Sequence, residues 1–276
     1  MQNTARPKGL KKIWREIKRP FRQTFGRHST VPGRAKNVLE GMENIHERAA
    51  NNPEHVESFC PICRKGSDKP FRPFGLTARS NALCPSCGSL ERHRFFWLFF
   101  EETLKNWKKE GNGSLLHFAP EGFFKTRFEQ VFGENYLSCD IVPGRAMKVI
   151  DITSICLGDE TYDYVVCNHV LEHIPDDRQA LSELYRVLKK GGVAFLAVPL
   201  KGEKTDEDLS ITDPQERLKR FAQDDHVRFY GMDIKNRIEG VGFHVSVVNS
   251  NTVVPSECLR TVLGIMSDDI LFVAEK

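Results

Sequence analysis

Seven short apolar runs between residues 114 and 275 constrain the fold more than anything else in the chain. They are "SLLHFA" (114–119), "NYLSCD" (135–140), "MKVID" (147–151), "YDYVVC" (162–167), "VAFLAV" (193–198), "FHVSVV" (243–248) and "ILFVAE" (270–275). Helical patterns such as "GFFKTRFEQVF" and "DDRQALSELYRVLKK" lie between several of them. Strands that alternate with helices predict a doubly wound, seven-stranded α/β sheet of Rossmann-like type. "KKGG" at 189–192 reads as a helix C-terminus, with two lysines at the negative dipole end and then glycines. Only Ile141 to Ala146 separate the second and third runs. A parallel crossover needs a dozen residues or more, so either a helix has been lost there or the third strand is short and irregular.

Upstream stand "CPIC" at Cys60–Cys63 and "CPSC" at Cys84–Cys87, 20 residues apart. Each pair can form a knuckle that points two thiolates at one ion. Two knuckles close a tetrahedral four-thiolate site, which predicts structural zinc on Cys60, Cys63, Cys84 and Cys87 with no open position for catalysis. The segment "SLERHRFFWLFFEETLKNW" reads as a helix, with Ser89 as N-cap, Glu91 in the first turn and apolar sides all round near Phe95–Phe100.

The charge is uneven. Residues 1–36 hold eleven Lys or Arg against one acid, Glu16, which leaves 29 basic and 36 acidic residues in the rest of the 276. Within this head, Leu10, Ile13, Trp14, Ile17 and Phe21 share one helical face and Lys11, Lys12, Arg15, Lys18 and Arg19 the other. That pattern predicts peripheral contact with an anionic membrane through residues 10–25, at the inner face of a cytoplasmic membrane; a solvated tail or nucleic-acid contact are the alternatives. The head has no apolar h-region, and a reducing cytoplasm is the expected location. The chain therefore divides into a basic segment (1–50), a four-cysteine module with its connecting helix (51–110) and an α/β domain (111–276).

Ligands of such sheets bind beyond the C-terminal strand ends. The first strand ends in "FAPEG", without the usual repeated glycines. The second ends at Asp140, 19 residues after Glu121, the spacing of an acid that accepts ribose hydroxyls. The third ends at Asp151, placed for an adenine amino group, and the fourth in "CNHVLEH". Asp140 as a turn residue and Asp151 as a helix cap are the plainer alternatives.

"YDYVVCNHVLEHIPDDRQALSELYRVLKKGGVAFLAVP" resembles the class I S-adenosylmethionine-dependent methyltransferases of small-molecule type ("methyltransferase type 11"-like). The closing "GFHVSVVN…DDILFVAEK" is similar to the antiparallel last strands of that fold, and "SLERHR", "HFAPE" and "DHVRFYG" resemble a bacterial subgroup. The resemblance implies S-adenosylmethionine as cofactor, held by Ala119, Pro120, Glu121, Asp140, Asp151 and Asn168, with Glu121 facing the α-ammonium. A cofactor without pyrophosphate tolerates a turn in which Ala119 allows close approach and Gly122 relaxes the chain. Methyl transfer to a hydroxyl calls for a base. His169 is the first candidate, His173 the second and His226 the third, with Arg228 and Tyr230 as substrate contacts. "CNHVLEH" is also similar to the "C-M-E-V-L-E-H" turn of ubiquinone-biosynthesis O-methyltransferases, which implies a divalent ion on His169, Glu172 and His173; a histidine replaces the first glutamate here.

The expected reaction is methyl transfer, by O-methylation, to a small molecule or a glycan such as a lipid-linked one. An RNA methyltransferase that uses the cysteine module and basic head is the alternative, disfavoured because "CNHV" stands where an "N-P-P-Y"-like turn would serve base N-methylation. A non-catalytic scaffold with a degenerate cofactor site is the third reading.

Overall fold

The computed structural model describes residues 57–75, 77–110 and 113–276. The basic head and its expected amphipathic helix lie outside the described residues. The chain forms two compact units. One holds the described residues up to Asn106 together with Asn249–Asp269; the other holds those from Trp107 to Val248 together with Ile270–Lys276.

In the first unit, two antiparallel hairpins carry the cysteine pairs. β1 (Ser58–Cys60) pairs with β2 (Lys65–Ser67), and β3 (Arg72–Phe74) with β4 (Arg79–Leu83). Helix α1 (Glu91–Glu110) follows, and Phe95, Phe96, Trp97, Leu98 and Phe100 are all buried, as the apolar girth of the segment predicts. The helix begins two residues after Ser89, which is therefore not its cap. The Ser89 hydroxyl lies 3.4 Å from Cys60 Sγ and 3.3 Å from Cys87 Sγ, so the thiols have taken it from the backbone. The Leu90 amide donates to His93 Nδ1 at 3.1 Å in its place.

The division departs from the three expected blocks because residues 249–269 join the first unit. Arg94 supplies the reason. Its buried guanidinium donates to the carbonyls of Ala82, Ser89, Leu263 and Gly264 at 2.6–2.8 Å and lies 4.1 Å over the Phe71 ring. Gly264 ends helix Glu257–Leu263 at φ 57°, and a Cβ there would lie 2.5 Å from Phe71 and 2.6 Å from Arg94 Nη2. Only glycine satisfies both the left-handed backbone and that approach.

The second unit is built on β5 (Leu115–Phe118), α2 (Gly122–Phe132), β6 (Tyr136–Asp140), β7 (Lys148–Val149), β8 (Tyr162–Asn168), α3 (Asp177–Val187) and β9 (Leu188–Ala197). After these come β10 (Asp206–Glu207), α4 (Pro214–Phe221), β11 (Arg228–Phe229), α5 (Ile234–Glu239), β12 (His244–Asn249) and β13 (Ile270–Glu275). All seven expected strands form one sheet in the order β12-β13-β9-β8-β5-β6-β7. Strands β7, β6, β5, β8 and β9 run parallel, and β13 is antiparallel to β9. The order reverses between β5 and β8, so the switch point lies between their C-terminal ends. Both strands are buried by helices on either face, which is why "LLHF" and "VVC" read as unbroken apolar stretches.

Two local expectations change. α3 stops at Val187, and "KKGG" belongs to β9 rather than to the helix end. Lys189 leaves the helix to pair with Asp163 at 2.7 Å, and Gly191, at φ 73°, bulges the strand toward the Lys276 carbonyl. The short loop after β6 carries no helix, and β7 is two residues long. Ile141, Val142, Met147 and Val149 are left exposed there, so both expected alternatives hold: the connection has no helix and the third strand is short.

Candidate active site

Strand β5 delivers the first turn. Ala119 follows it at φ 46°, and its amide donates to the Cys139 carbonyl at 2.8 Å. A left-handed alanine is strained by about 1 kcal/mol, so the turn keeps the backbone of a glycine loop without the glycine. Gly122 is the first residue of α2, with open space where a Cβ would stand, so the left-handed backbone of the turn falls on Ala119 rather than on this glycine. Glu121 precedes α2 with no side-chain capping bond, and its Oε2 lies 3.4 Å from Nε2 of the fully buried His117.

Next along the same edge is Asp140, at the end of β6, whose Oδ1 closes a turn by accepting the Val142 amide at 2.8 Å. Asp151, exposed two residues past β7, accepts from the Thr153 amide and hydroxyl at 2.8 and 2.7 Å. Asp140 is thus the turn residue of the plainer alternative, whereas Asp151 caps no helix, because only a turn follows it; each acid organises the turn that presents it.

On the other side of the switch point, β8 ends in Asn168. It is 3% exposed, and neither its Oδ1 nor its Nδ2 has a hydrogen-bond partner. An unmatched buried amide costs about 1–3 kcal/mol, and a polar ligand or water at this strand end would satisfy it. His169 follows at φ 53°, its amide bonded to the Ala197 carbonyl at 2.7 Å. Two strained non-glycine residues thus flank the switch point, one beyond each of two adjacent strands; the remaining left-handed non-glycine residues are spread through other turns.

The "LEH" segment is a single turn, Leu171–His173. His169 Nδ1 lies 3.2 Å from Glu172 Oε1, and Glu172 is 1% exposed. Burial pushes the Glu172 carboxyl up, but the His169 hydrogen bond and the nearby histidine charges outweigh it and hold the group below the usual carboxylate range. His173 Nδ1 pairs with Asp225 Oδ2 at 3.2 Å, and its ring meets that of His226 edge to face at 4.7 Å. His226 is 2% exposed, and burial holds its imidazole below the usual histidine value. Its Nδ1 makes no hydrogen bond.

The cation cluster differs from the expected one. Donor atoms of Glu172, His173 and His226 lie within 4.8 Å of one another, so His226 takes the place expected of His169. A two-histidine, one-carboxylate set suits a divalent transition metal, and the unbonded Glu172 Oε2 and His226 Nδ1 fit that use. Arg228 and Tyr230 are not surface contacts. Both are fully buried: Arg228 binds Glu207 and the Leu171, Ile174 and Pro175 carbonyls, and the Tyr230 hydroxyl donates to Asp177 at 2.6 Å. They brace the turn that carries Glu172 and His173. Sequence reasoning missed His117, although a histidine within a run of buried apolar strand residues, four before a turn glutamate, was a readable signal.

In the first unit, Cys60 and Cys87 sulfurs stand 3.6 Å apart and Cys63 and Cys84 3.8 Å apart, with all four within 4.8 Å. A zinc tetrahedron with bonds of about 2.3 Å has edges of about 3.8 Å, so the sulfurs fit the ion. The knuckles share a design: Arg64 and Gly88, the residues after each pair, are left-handed at φ 60° and 74° and bond back to the Cys60 and Cys84 carbonyls.

Residues 125–196 match a family described as a methyltransferase domain. That stretch of the chain is similar to a methyltransferase domain. The match starts just after the first turn and ends in β9, so it covers Asp140, Asp151, Asn168, His169 and His173 but not Glu121 or His226. A demethylmenaquinone methyltransferase of Listeria monocytogenes is 34% identical over 83 residues, 30% of this chain and 32% of that protein. The arsenite methyltransferase of Mus musculus is 32% identical over 78 residues, 28% of this chain and 20% of that protein. The chain thus spans a third or less of the length of these curated relatives. Among solved structures, an S-adenosylmethionine-dependent methyltransferase from Archaeoglobus fulgidus aligns at 18% identity and TM-score 0.42, over 64% of this chain and 94% of that one. One from Mesorhizobium loti aligns at 14% identity and TM-score 0.43, over 60% and 92%. No helix among the described residues is long and apolar enough to cross a membrane.

Proposed function

We propose that this protein transfers the methyl group of S-adenosylmethionine to a hydroxyl of a small-molecule or glycan acceptor. The observation that carries the reading is the buried, unmatched amide of Asn168, set beside the strained Ala119 and His169 at the switch point of a methyltransferase-like domain. Ala119, Pro120 and Glu121 would receive the methionine arm, Asp140 the ribose, Asp151 the adenine, and Asn168 the space between. When bound, the sulfonium supplies an activated methyl that is displaced in line. His169 would take the proton of the acceptor hydroxyl as general base. Glu172 would hold the His169 ring in place through its 3.2 Å contact with Nδ1. The four cysteines would hold one structural zinc, and the basic head would keep a cytoplasmic enzyme at an anionic membrane that carries a lipid-linked acceptor.

A second reading has its own observation. The cluster of Glu172, His173 and His226 fits a divalent ion that lowers the acceptor hydroxyl's pKa in place of a free base. The test is S-adenosylhomocysteine release by the full chain with hydroxylated small molecules, glycans and RNA offered side by side, before and after treatment with a chelator. Turnover on a hydroxylated small molecule or glycan supports the proposal, and chelator sensitivity with the four-cysteine zinc still retained by elemental analysis selects the metal-assisted form. Turnover on RNA alone contradicts it.

A further inference from the structure

His117 is an anomaly in β5. It occupies a fully buried position in an interior strand, between Leu116 and Phe118, where an apolar residue would cost less. Its Nδ1 meets the Tyr136 hydroxyl at 2.9 Å, and its ring packs edge-on to Phe128 at 5.3 Å. Burial pushes the Tyr136 hydroxyl's pKa up, so that hydroxyl keeps its proton and can donate to Nδ1. This arrangement puts the ring hydrogen on Nε2, which is buried and makes no well-formed hydrogen bond. The group it faces, at 3.4 Å, is the Glu121 carboxylate in the first turn.

A histidine that served packing alone would spend both nitrogens inside the core. Here one nitrogen is anchored to β6 and the other aims out of the core at the one acid of the strained turn. From this we infer that His117 is a positioning residue: it orients Glu121 to receive the α-ammonium of the cofactor's amino-acid arm. The inference rests on the cofactor reading above and deepens it. The polar line Tyr136–His117–Glu121 ties the start of β6 to the turn beyond β5 and supplies the carboxylate orientation that a repeated-glycine turn would leave to backbone amides. No carboxylate of β5 itself is available, since the strand reads Leu115, Leu116, His117, Phe118.

The experiment is calorimetric titration of the full chain with two ligands, S-adenosylhomocysteine and 5′-methylthioadenosine, which lacks the amino-acid arm. Three variants are compared with the parent: Glu121→Gln, His117→Asn and His117→Gln. Gln places an amide nitrogen near the position of Nε2, whereas Asn reaches only that of Nδ1. The expected result is a loss of about tenfold or more in S-adenosylhomocysteine affinity for Glu121→Gln and His117→Asn, with 5′-methylthioadenosine affinity changed less than about threefold. His117→Gln should stay within about threefold of the parent for both ligands. Equal losses for both ligands in His117→Asn and His117→Gln would assign His117 to packing and overturn the inference while leaving the cofactor reading intact. Unchanged affinity in Glu121→Gln would do the same without any change to the core. A parent protein that binds neither ligand would overturn the cofactor reading itself, and the inference with it.

Discussion

His169 Nδ1 stands 3.2 Å from Glu172 Oε1, and the strand–turn joint that brings them together holds His169 at φ 53°. That backbone angle decides how the pair can be tested. Asparagine tolerates the left-handed region, so His169→Asn removes the imidazole without straining the turn. Its transfer rate should fall by about 10²–10⁴-fold, with S-adenosylhomocysteine affinity within about threefold of the parent. Glu172→Gln keeps the shape and removes the charge, and its rate should fall by a similar factor. Initial rates beside calorimetric affinities check both.

Ala119 tests the first turn directly. At φ 46°, Ala119→Gly relieves the strained backbone but loosens the unfolded chain, and stability should change by less than about 1 kcal/mol. Ala119→Val places a β-branched residue in the same conformation and should cost about 1–3 kcal/mol, with a loss of cofactor affinity. Thermal melts with and without S-adenosylhomocysteine separate the two effects.

The thiol tetrahedron predicts one zinc per chain by elemental analysis. Cys63→Ser should lose it, and the unit that contains Cys60, Cys84 and Cys87 should then melt earlier. Retention of full zinc by Cys63→Ser would remove this cysteine from the site.

Asp269 carries the clearest pH signature in the first unit. Burial, then the charges of Glu91 and Asp268, push its carboxyl up to about 7, and its Oδ2 is enclosed without a partner. The folded pKa lies above the unfolded one, so the group favours folding at low pH, and that contribution is lost as pH rises from about 4 through about 7. Asp269→Asn should therefore stabilise the protein by about 1–3 kcal/mol at pH 8 and leave it unchanged near pH 4. Denaturant melts at the two pH values check the sign.

The sheet was legible because β5 and β8 are buried on both faces and so read as unbroken apolar runs, and because the acids that end β6 and follow β7 come in chain order. What local pattern could not show depends on distant partners. Ser89 looked like a helix cap, but sulfurs 2 and 29 residues away took its hydroxyl. Residues 249–269 looked like part of the α/β domain, but Arg94 bonds to carbonyls 169 and 170 residues further on. "KKGG" carried the composition of a helix end, yet its glycine freedom is used for a strand bulge. In the candidate site, Asp140, Asn168 and His169 followed from strand order. The approach of His226 to His173, and the burial of Arg228 and Tyr230 beneath them, came from folding a loop over 50 residues away back onto the "LEH" turn.

The most direct measurement is calorimetric titration of the zinc-replete full chain with S-adenosylhomocysteine, beside an Asp140→Ala variant. The account predicts one ligand per chain with a dissociation constant in the micromolar range, about −8 kcal/mol, weakened about tenfold or more by the substitution. Absence of binding by the parent protein, or equal binding by the variant, would contradict it.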